Sequence, residues 1–227
     1  MIISHNHKFI FVKNRKVAGT SVEAYLSQYC GKHDIITTGG ENKGRNDRGI
    51  WNPCAELISA GNFKKRCEIL SDFIHFKKYK SHMGSHLIQT RLPKKTWQSY
   101  YKFCIERNPW DKTLSFYHMK KHNPNLPNKS FDQFLSCNHN LCSDFDRYCG
   151  RDGKILVDRV LRYENLLSDL SEVCEKLRIP FDGDLGFKIN SQFRTDRRCY
   201  RDVYTDSQRR VVETIYKREI DLLGYEF

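Results

Sequence analysis

The chain has 227 residues, of which 39% are hydrophobic and 13% aromatic. That balance supplies a sizeable core, predicts a single domain over residues 1–227, and excludes a disordered or collagen-like polymer. Lys and Arg outnumber Asp and Glu by 39 to 27, a net charge of +12 spread through the chain, which favours anionic partners: nucleotide, nucleic acid, acidic glycan or membrane surface.

The first predicted element is a buried strand over KFIFVK, residues 8–13, a short apolar run with aromatic and β-branched residues. The stretch KNRKVAGTS, residues 13–21, follows it and leads into a predicted helix over 21–29 with Val22, Tyr25, Leu26 and Tyr29 on one face. A strand-turn-helix of this kind aims free backbone N–H groups and the positive end of a helix dipole at one spot, as an anion site requires. Gly19 would let the backbone approach the anion, Thr20 and Ser21 would offer hydroxyls or cap the helix, and Lys16 would add a full charge. The triphosphatase pattern GxxxxGK[ST] is absent, because lysine here precedes the glycine by three residues and the first glycine is missing. The same turn also serves, in many proteins, as plain structure.

Residues 37–54, TTGGENKGRNDRGIWNPC, are rich in Gly, Asn and charge and are expected to form a long loop. Its Arg45, Arg48 and Trp51 could stack on and hydrogen-bond a sugar, or the loop could simply be solvated. A second buried strand is predicted over YKFCIE, residues 101–106. Asn108 and Pro109 then suit the turn into a helix running to about His122. In ERNPWDKTLSFY, Arg107 stands at the strand end and Ser115 about two turns along the helix. An arginine fork and a hydroxyl so placed suit a terminal phosphate; the alternative is that Arg107 pairs with Asp111 while Trp110, Leu114 and Tyr117 pack in the core. A third strand is predicted over 155–163, a helix over 166–177, and a last helix over 207–223. This alternation predicts an α/β, three-layer P-loop-type fold with a central, mainly parallel β-sheet flanked by helices, and a ligand at the carboxyl ends of the strands.

The segments together resemble the sulfotransferase family, in particular its carbohydrate-modifying branch. RKVAGTS, residues 15–21, matches a 5′-phosphosulfate loop of the form PKTAGTS. RNPWDKTLSFY, residues 107–117, matches a 3′-phosphate element of the form RNPWDRLxSxY. RYENL at 162–166 is a third match to the family, and YRDVYTDSQRR at 200–210 and the closing LLGYEF resemble the tail of bacterial and viral-like members. Arg15 and Val17 depart from the family's usual proline and threonine.

The resemblance implies 3′-phosphoadenosine 5′-phosphosulfate (PAPS) as sulfate donor and no metal. It places Lys16 on the bridging and sulfonyl oxygens, and Arg15, Ala18, Gly19, Thr20 and Ser21 around the 5′-phosphate. Arg107 and Ser115 fall at the 3′-phosphate, Tyr163 near the adenine, and Arg198 and Arg201 on the 3′ side. Sulfuryl transfer also needs a base for the acceptor hydroxyl, for which histidine is suited near neutral pH. His82, upstream of Arg91, Leu92, Pro93 and Trp97, matches the family's histidine, with His86, His75 or a carboxylate as alternatives. The branch implies a glycan hydroxyl as acceptor, with a tyrosine or small alcohol as other possibilities.

Competing classes are a nucleic-acid-binding module, for which the dispersed basic residues provide no motif, and a phosphotransferase, which the misplaced lysine disfavours. Cys137, His139, Cys142 and Cys149 carry zinc-ligand chemistry at a spacing that matches no common zinc pattern. No run approaches the roughly 18 apolar residues of a spanning helix. No secretory segment is expected from MIISHNHKFIF, which has no extended apolar run, and nine cysteines, an odd number without CxxC, predict reduced thiols in the cytoplasm.

Overall fold

The computed structural model describes residues 1–37, 46–123, 125–127, 129–137, 141, 143–186 and 198–227. Its centre is a five-stranded sheet of order β3-β1-β2-β4-β5. The strands are β1 (Ile2–Ser4), β2 (Phe9–Val12), β3 (Ile35–Ile36), β4 (Tyr101–Glu106) and β5 (Arg159–Arg162). β2, β4 and β5 run parallel, with Phe11 beside Phe103 and Ile105 beside Leu161, whereas β1 pairs antiparallel with both β2 and β3. The sheet is therefore mixed: the expected parallel core is present, and a short antiparallel edge has been added to it. β1 and β3 escape a sequence reading because two or three residues carry too little periodicity to register.

Alternation of side chains sends each strand into two cores. Phe9, Phe11, Phe103, Ile105 and Leu161 face one side, covered by α1 (Gly19–Ser27) and α9 (Leu166–Leu177). Ile10, Val12 and Cys104 face the other, covered by Ile88 and Leu92 of α4 (Ser85–Arg91) and its C-terminal edge, Trp97 of α5 (Lys94–Ser99), and Phe145 and Tyr148 of α8 (Phe145–Tyr148). The three layers follow. A third cluster joins Trp110 and Phe116 of α6 (Pro109–Lys121), Phe134 of α7 (Phe131–Leu135), Val212 of α10 (Asp206–Ile215), and Tyr216. The predicted last helix is broken at Tyr216, beyond which α11 (Lys217–Leu223) continues; the buried Tyr216 ring anchors the join.

Of the predicted loop at 37–54, residues 37 and 46–54 are described, so Arg45 lies outside the described residues. Trp51 does not stand free for a sugar. It is buried, with the Arg91 guanidinium 4.2 Å from its ring centre and Phe73 edge-on at 5.8 Å. Arg48 is exposed. α2 (Cys54–Ser59) and α3 (Phe63–Ile74) follow. Of the cysteine-rich segment, His139 and Cys142 lie outside the described residues, while Cys149 is buried and donates to the Phe145 carbonyl at 2.8 Å. Among the described residues no cluster of three or more His, Cys, Asp or Glu is arranged to hold a metal ion, and no helix is long and apolar enough to cross a membrane.

Candidate active site

Because β2, β4 and β5 are parallel, their carboxyl ends reach the same edge of the sheet, and the three segments that leave them line one cleft of about 1510 Å³. Lys13 to Ser21 leave β2, Arg107 to Asp111 leave β4, and Tyr163 to Asn165 leave β5. Ser115, His82, Arg198 and Arg201 complete the wall among the residues expected from sequence. Every predicted donor-site residue thus lines a single cavity. His86 and His75 do not: His86 sits on α4, and His75 is exposed with its Nδ1 on the Ser71 carbonyl at 2.8 Å.

The loop after β2 is held in a conformation that costs energy. Lys16 and Ala18 both lie in the left-handed region, at φ 62° and 56°, which non-glycine residues rarely adopt. Surrounding bonds enforce it. The Arg15 N–H donates to Asp144 Oδ2 at 2.8 Å, and the Asn14 amide donates to the Ile105 carbonyl at 3.0 Å and to Glu106 Oε1 at 2.9 Å. α1 starts at Gly19 after the left-handed Ala18, whose carbonyl accepts from the N–H groups of Ser21 and Val22 at 2.9 and 3.2 Å. Gly19 itself is not in the left-handed region. A Cβ there would meet Lys13 Cγ at 3.1 Å, so glycine at this position lets α1 pack closely on the Lys13 stem.

Arg15 lies at the cleft and is tied to the structure beneath it. Its guanidinium lines the cleft but donates through Nε to Asp144 Oδ1 at 2.8 Å and through Nη2 to the Ser143 carbonyl at 3.0 Å. Asp144 meanwhile receives the fully buried Lys112 ammonium at 3.0 Å, and Lys112 reaches Glu106 at 2.9 Å. Lys112, Arg15 and Arg147 outweigh burial and hold the Asp144 carboxyl well below the usual range. Burial pushes the Glu106 carboxyl up to about 7 against the pull of Lys112, with the Asp144 charge adding to the rise. A buried ionic chain therefore underlies the loop, from Arg15 to the end of β4.

Arg107 combines both alternatives weighed from sequence. Its Nε and Nη2 donate to Asp111 at 2.8 and 2.6 Å, yet it lines the cleft, and its Nη1 donates to the Lys16 carbonyl at 3.2 Å. The guanidinium centre stands 4.1 Å from the centre of the Tyr163 ring. Trp110 and Leu114 are buried as the core alternative required. The turn is locked from β5: the Asn108 N–H donates to Glu164 Oε1 at 2.7 Å, and Asn108 Oδ1 caps α6 by accepting from the N–H groups of Trp110 and Asp111.

His82 also adopts a left-handed backbone, at φ 58°. Its Nδ1 is 3.0 Å from the Lys13 carbonyl oxygen, which can only accept, so Nδ1 carries the proton and Nε2 is left with a lone pair. Burial, with Arg147 and Lys13 adding to it, lowers the ring's pKa from 6.5 to about 4 despite the bond to Lys13. The imidazole is neutral at pH 7, with Nε2 its unprotonated nitrogen.

Asn14, Asp111, Asp144 and Glu164 were not singled out from sequence as site-forming residues. Asp111 and Glu164 lay inside the quoted motifs. Asp144 gave no signal, because its partners Arg15 and Lys112 lie 129 and 32 positions away in the chain.

The sequence matches the model of the sulfotransferase family over residues 1–226. It is 36% identical over 113 residues to an uncharacterised protein of Archaeoglobus fulgidus, a match that spans 48% of this chain and 92% of that one. The fold is similar to that of mouse sulfotransferase SULT7A1, whose crystal structure is complexed with PAP, with a TM-score of 0.53 and 16% identity, covering 93% of this chain and 83% of the other. A sulfotransferase from Alicyclobacillus acidocaldarius aligns with a TM-score of 0.48 and 14% identity over 97% of this chain and 96% of its own. With the family match running almost from end to end, the chain belongs to the sulfotransferase family.

Proposed function

We propose that the protein transfers the sulfuryl group of PAPS to a carbohydrate hydroxyl, with Lys16 and His82 as its catalytic residues. The observation that carries this reading is the joining of two anion-binding elements around one cleft: Arg107 bonds the backbone of Lys16, and the neutral His82 lines the same cavity. A donor with phosphates at both ends requires two such elements, and the mouse sulfotransferase of similar fold was crystallised with PAP, the desulfated donor.

In this reading the loop N–H groups with Ala18, Gly19, Thr20 and Ser21 receive the 5′ end, and Lys16 neutralises charge that develops on the leaving phosphate oxygen. Arg107 and Ser115 receive the 3′-phosphate, with Arg198 and Arg201 beside them and Tyr163 supporting the arginine plane. Arg15 acts on the loop through Asp144 and contributes its remaining charge to the cleft. His82 Nε2 takes the proton of the acceptor hydroxyl as its oxygen bonds to sulfur and the sulfur–phosphate oxygen bond breaks. PAPS supplies the sulfur electrophile and a stable phosphate leaving group, and no metal enters this scheme. The basic cleft suits an anionic glycan. No disulfide joins any two of the eight described cysteines, in keeping with work in a reducing compartment such as the cytoplasm.

Calorimetric titration with 3′-phosphoadenosine 5′-phosphate beside ATP with Mg²⁺, followed by transfer of labelled sulfate to a panel of glycans, tests the reading. Tight binding of the bisphosphate, weak binding of ATP and labelled glycan are expected. A preference for ATP, or label that passes only to tyrosine or small alcohols, would overturn it.

A further inference from the structure

Seven of the twelve large hydrophobic side chains that are exposed among the described residues lie between Ile50 and Phe76. Within α3 they are ordered. Phe63, Cys67, Leu70 and Ile74 follow the i, i+4, i+7, i+11 spacing of one helix face, and all four are exposed, Phe63 at 82% and Ile74 at 68%. The opposite side of the helix is the one that packs. Ile69 is buried, and Asp72 is bound by Lys80 at 2.8 Å and by Arg91 at 3.7 Å. Phe73, on the flank, meets Trp51. α3 is therefore fixed to the body by one face while its apolar face points outward, the reverse of an ordinary surface helix.

Charge identifies what that face meets. Lys64 and Arg66 flank the apolar stripe at its start, and Lys77 and Lys78 follow the helix; of the two carboxylates in the same stretch, Glu68 and Asp72, the latter is already engaged by cations. An amphipathic helix with Phe, Leu and Ile on one face and Lys and Arg around it is suited to lie in the plane of a bilayer surface. A second copy of the chain would bring two positive clusters together on a molecule of net charge +12. A ridge of protruding side chains also suits fluid acyl chains, which close around it without a preformed groove.

We propose that α3 docks the enzyme on an anionic phospholipid surface, with Phe63, Leu70 and Ile74 entering the acyl boundary and Lys64 and Arg66 at the headgroups. Ile74 lies only eight positions before His82 in the chain, so docking would set the cleft close to acceptors held at that surface. The proposal does not depend on the identity of the acceptor.

The test is co-sedimentation of the full chain with phosphatidylcholine vesicles that contain or lack phosphatidylserine. Partitioning onto the anionic vesicles should exceed that onto neutral ones by at least about tenfold and weaken with salt. Phe63→Ser/Leu70→Ser/Ile74→Ser should lower it by about tenfold or more, with an unchanged circular dichroism spectrum and melting profile as the control for folding. Lys64→Gln/Arg66→Gln, which leaves the apolar stripe in place, should remove most of the preference for phosphatidylserine. Undiminished binding by the apolar triple variant would overturn the proposal in favour of adsorption by net charge. Failure of the wild-type chain to bind anionic vesicles would also overturn it, and would direct the search to an acidic protein partner. A dimer in sedimentation velocity that the triple variant dissolves would overturn it in favour of a second copy.

Discussion

His82 Nδ1 lies 3.0 Å from the carbonyl oxygen of Lys13, the residue that directly follows strand β2. One bond thus ties the histidine to the start of the loop proposed to hold the donor, and sets which ring nitrogen is free. Replacing His82 with Asn, which tolerates the left-handed backbone at this position, should lower turnover by about 10²–10⁴. Donor affinity should stay unchanged. Single-turnover rates and calorimetry on the same variant check the two halves; a matched loss of affinity would remove His82 from the role of base.

The same histidine gives a pH signature. Its pKa is lowered in the folded protein, from 6.5 to about 4, so the unfolded chain takes the proton first as pH falls. Stability contributed by the neutral ring is present above pH 6.5 and is lost as pH falls towards about 4, by up to about 3 kcal/mol. The rate of the chemical step should hold its plateau well below pH 6 and decline only as pH approaches about 4. Denaturant melts of wild type and His82→Asn over this range should converge at low pH if the shift is the cause.

Lys16→Ala should reduce turnover by about 10²–10³ with a much smaller effect on donor affinity, because the charge it neutralises develops only as the phosphate leaves. Stopped-time assays at saturating donor, set beside bisphosphate titrations, separate the two. Equal losses would make Lys16 a binding residue alone.

For Arg107 the expectation is the opposite. Arg107→Ala should weaken bisphosphate binding by about 1.5–3 kcal/mol. Arg107→Lys should lose nearly as much, since an ammonium cannot bond Asp111 twice, reach the Lys16 carbonyl and lie flat on Tyr163 at once. Recovery of affinity in the lysine variant would show that only charge matters at this position.

Asp144 is placed to decide whether the loop keeps its shape. Asp144→Ala leaves Lys112 buried with Glu106 alone and removes the acceptor of both the Arg15 N–H and its Nε. A destabilisation of about 3–5 kcal/mol is expected, the range for removing one partner of a buried ion pair. Thermal and denaturant unfolding measure it. Near-neutral behaviour would mean that Lys112 and Arg15 find other partners.

Local signals made much of this protein legible. The apolar runs at 8–13 and 101–106 became β2 and β4, and the helix expected over 166–177 became α9 with the same limits. Motif spacing also brought Lys16, Arg107, Ser115 and Tyr163 to attention before any contact was known, and the parallel strands did gather them. These features are encoded by neighbours in sequence, through periodicity, turn chemistry and helix capping. What only tertiary structure decided are relations between distant residues. Asp144 reaches Arg15 across 129 positions, Trp51 is taken up by Arg91 and Phe73 instead of standing free, and Gly19 packs closely on the Lys13 side chain. The antiparallel edge and the outward apolar face of α3 belong to the same class. Each depends on which surfaces meet after the chain has collapsed, and burial, which sets both the His82 pKa and the strength of the buried charges, exists only once they have met.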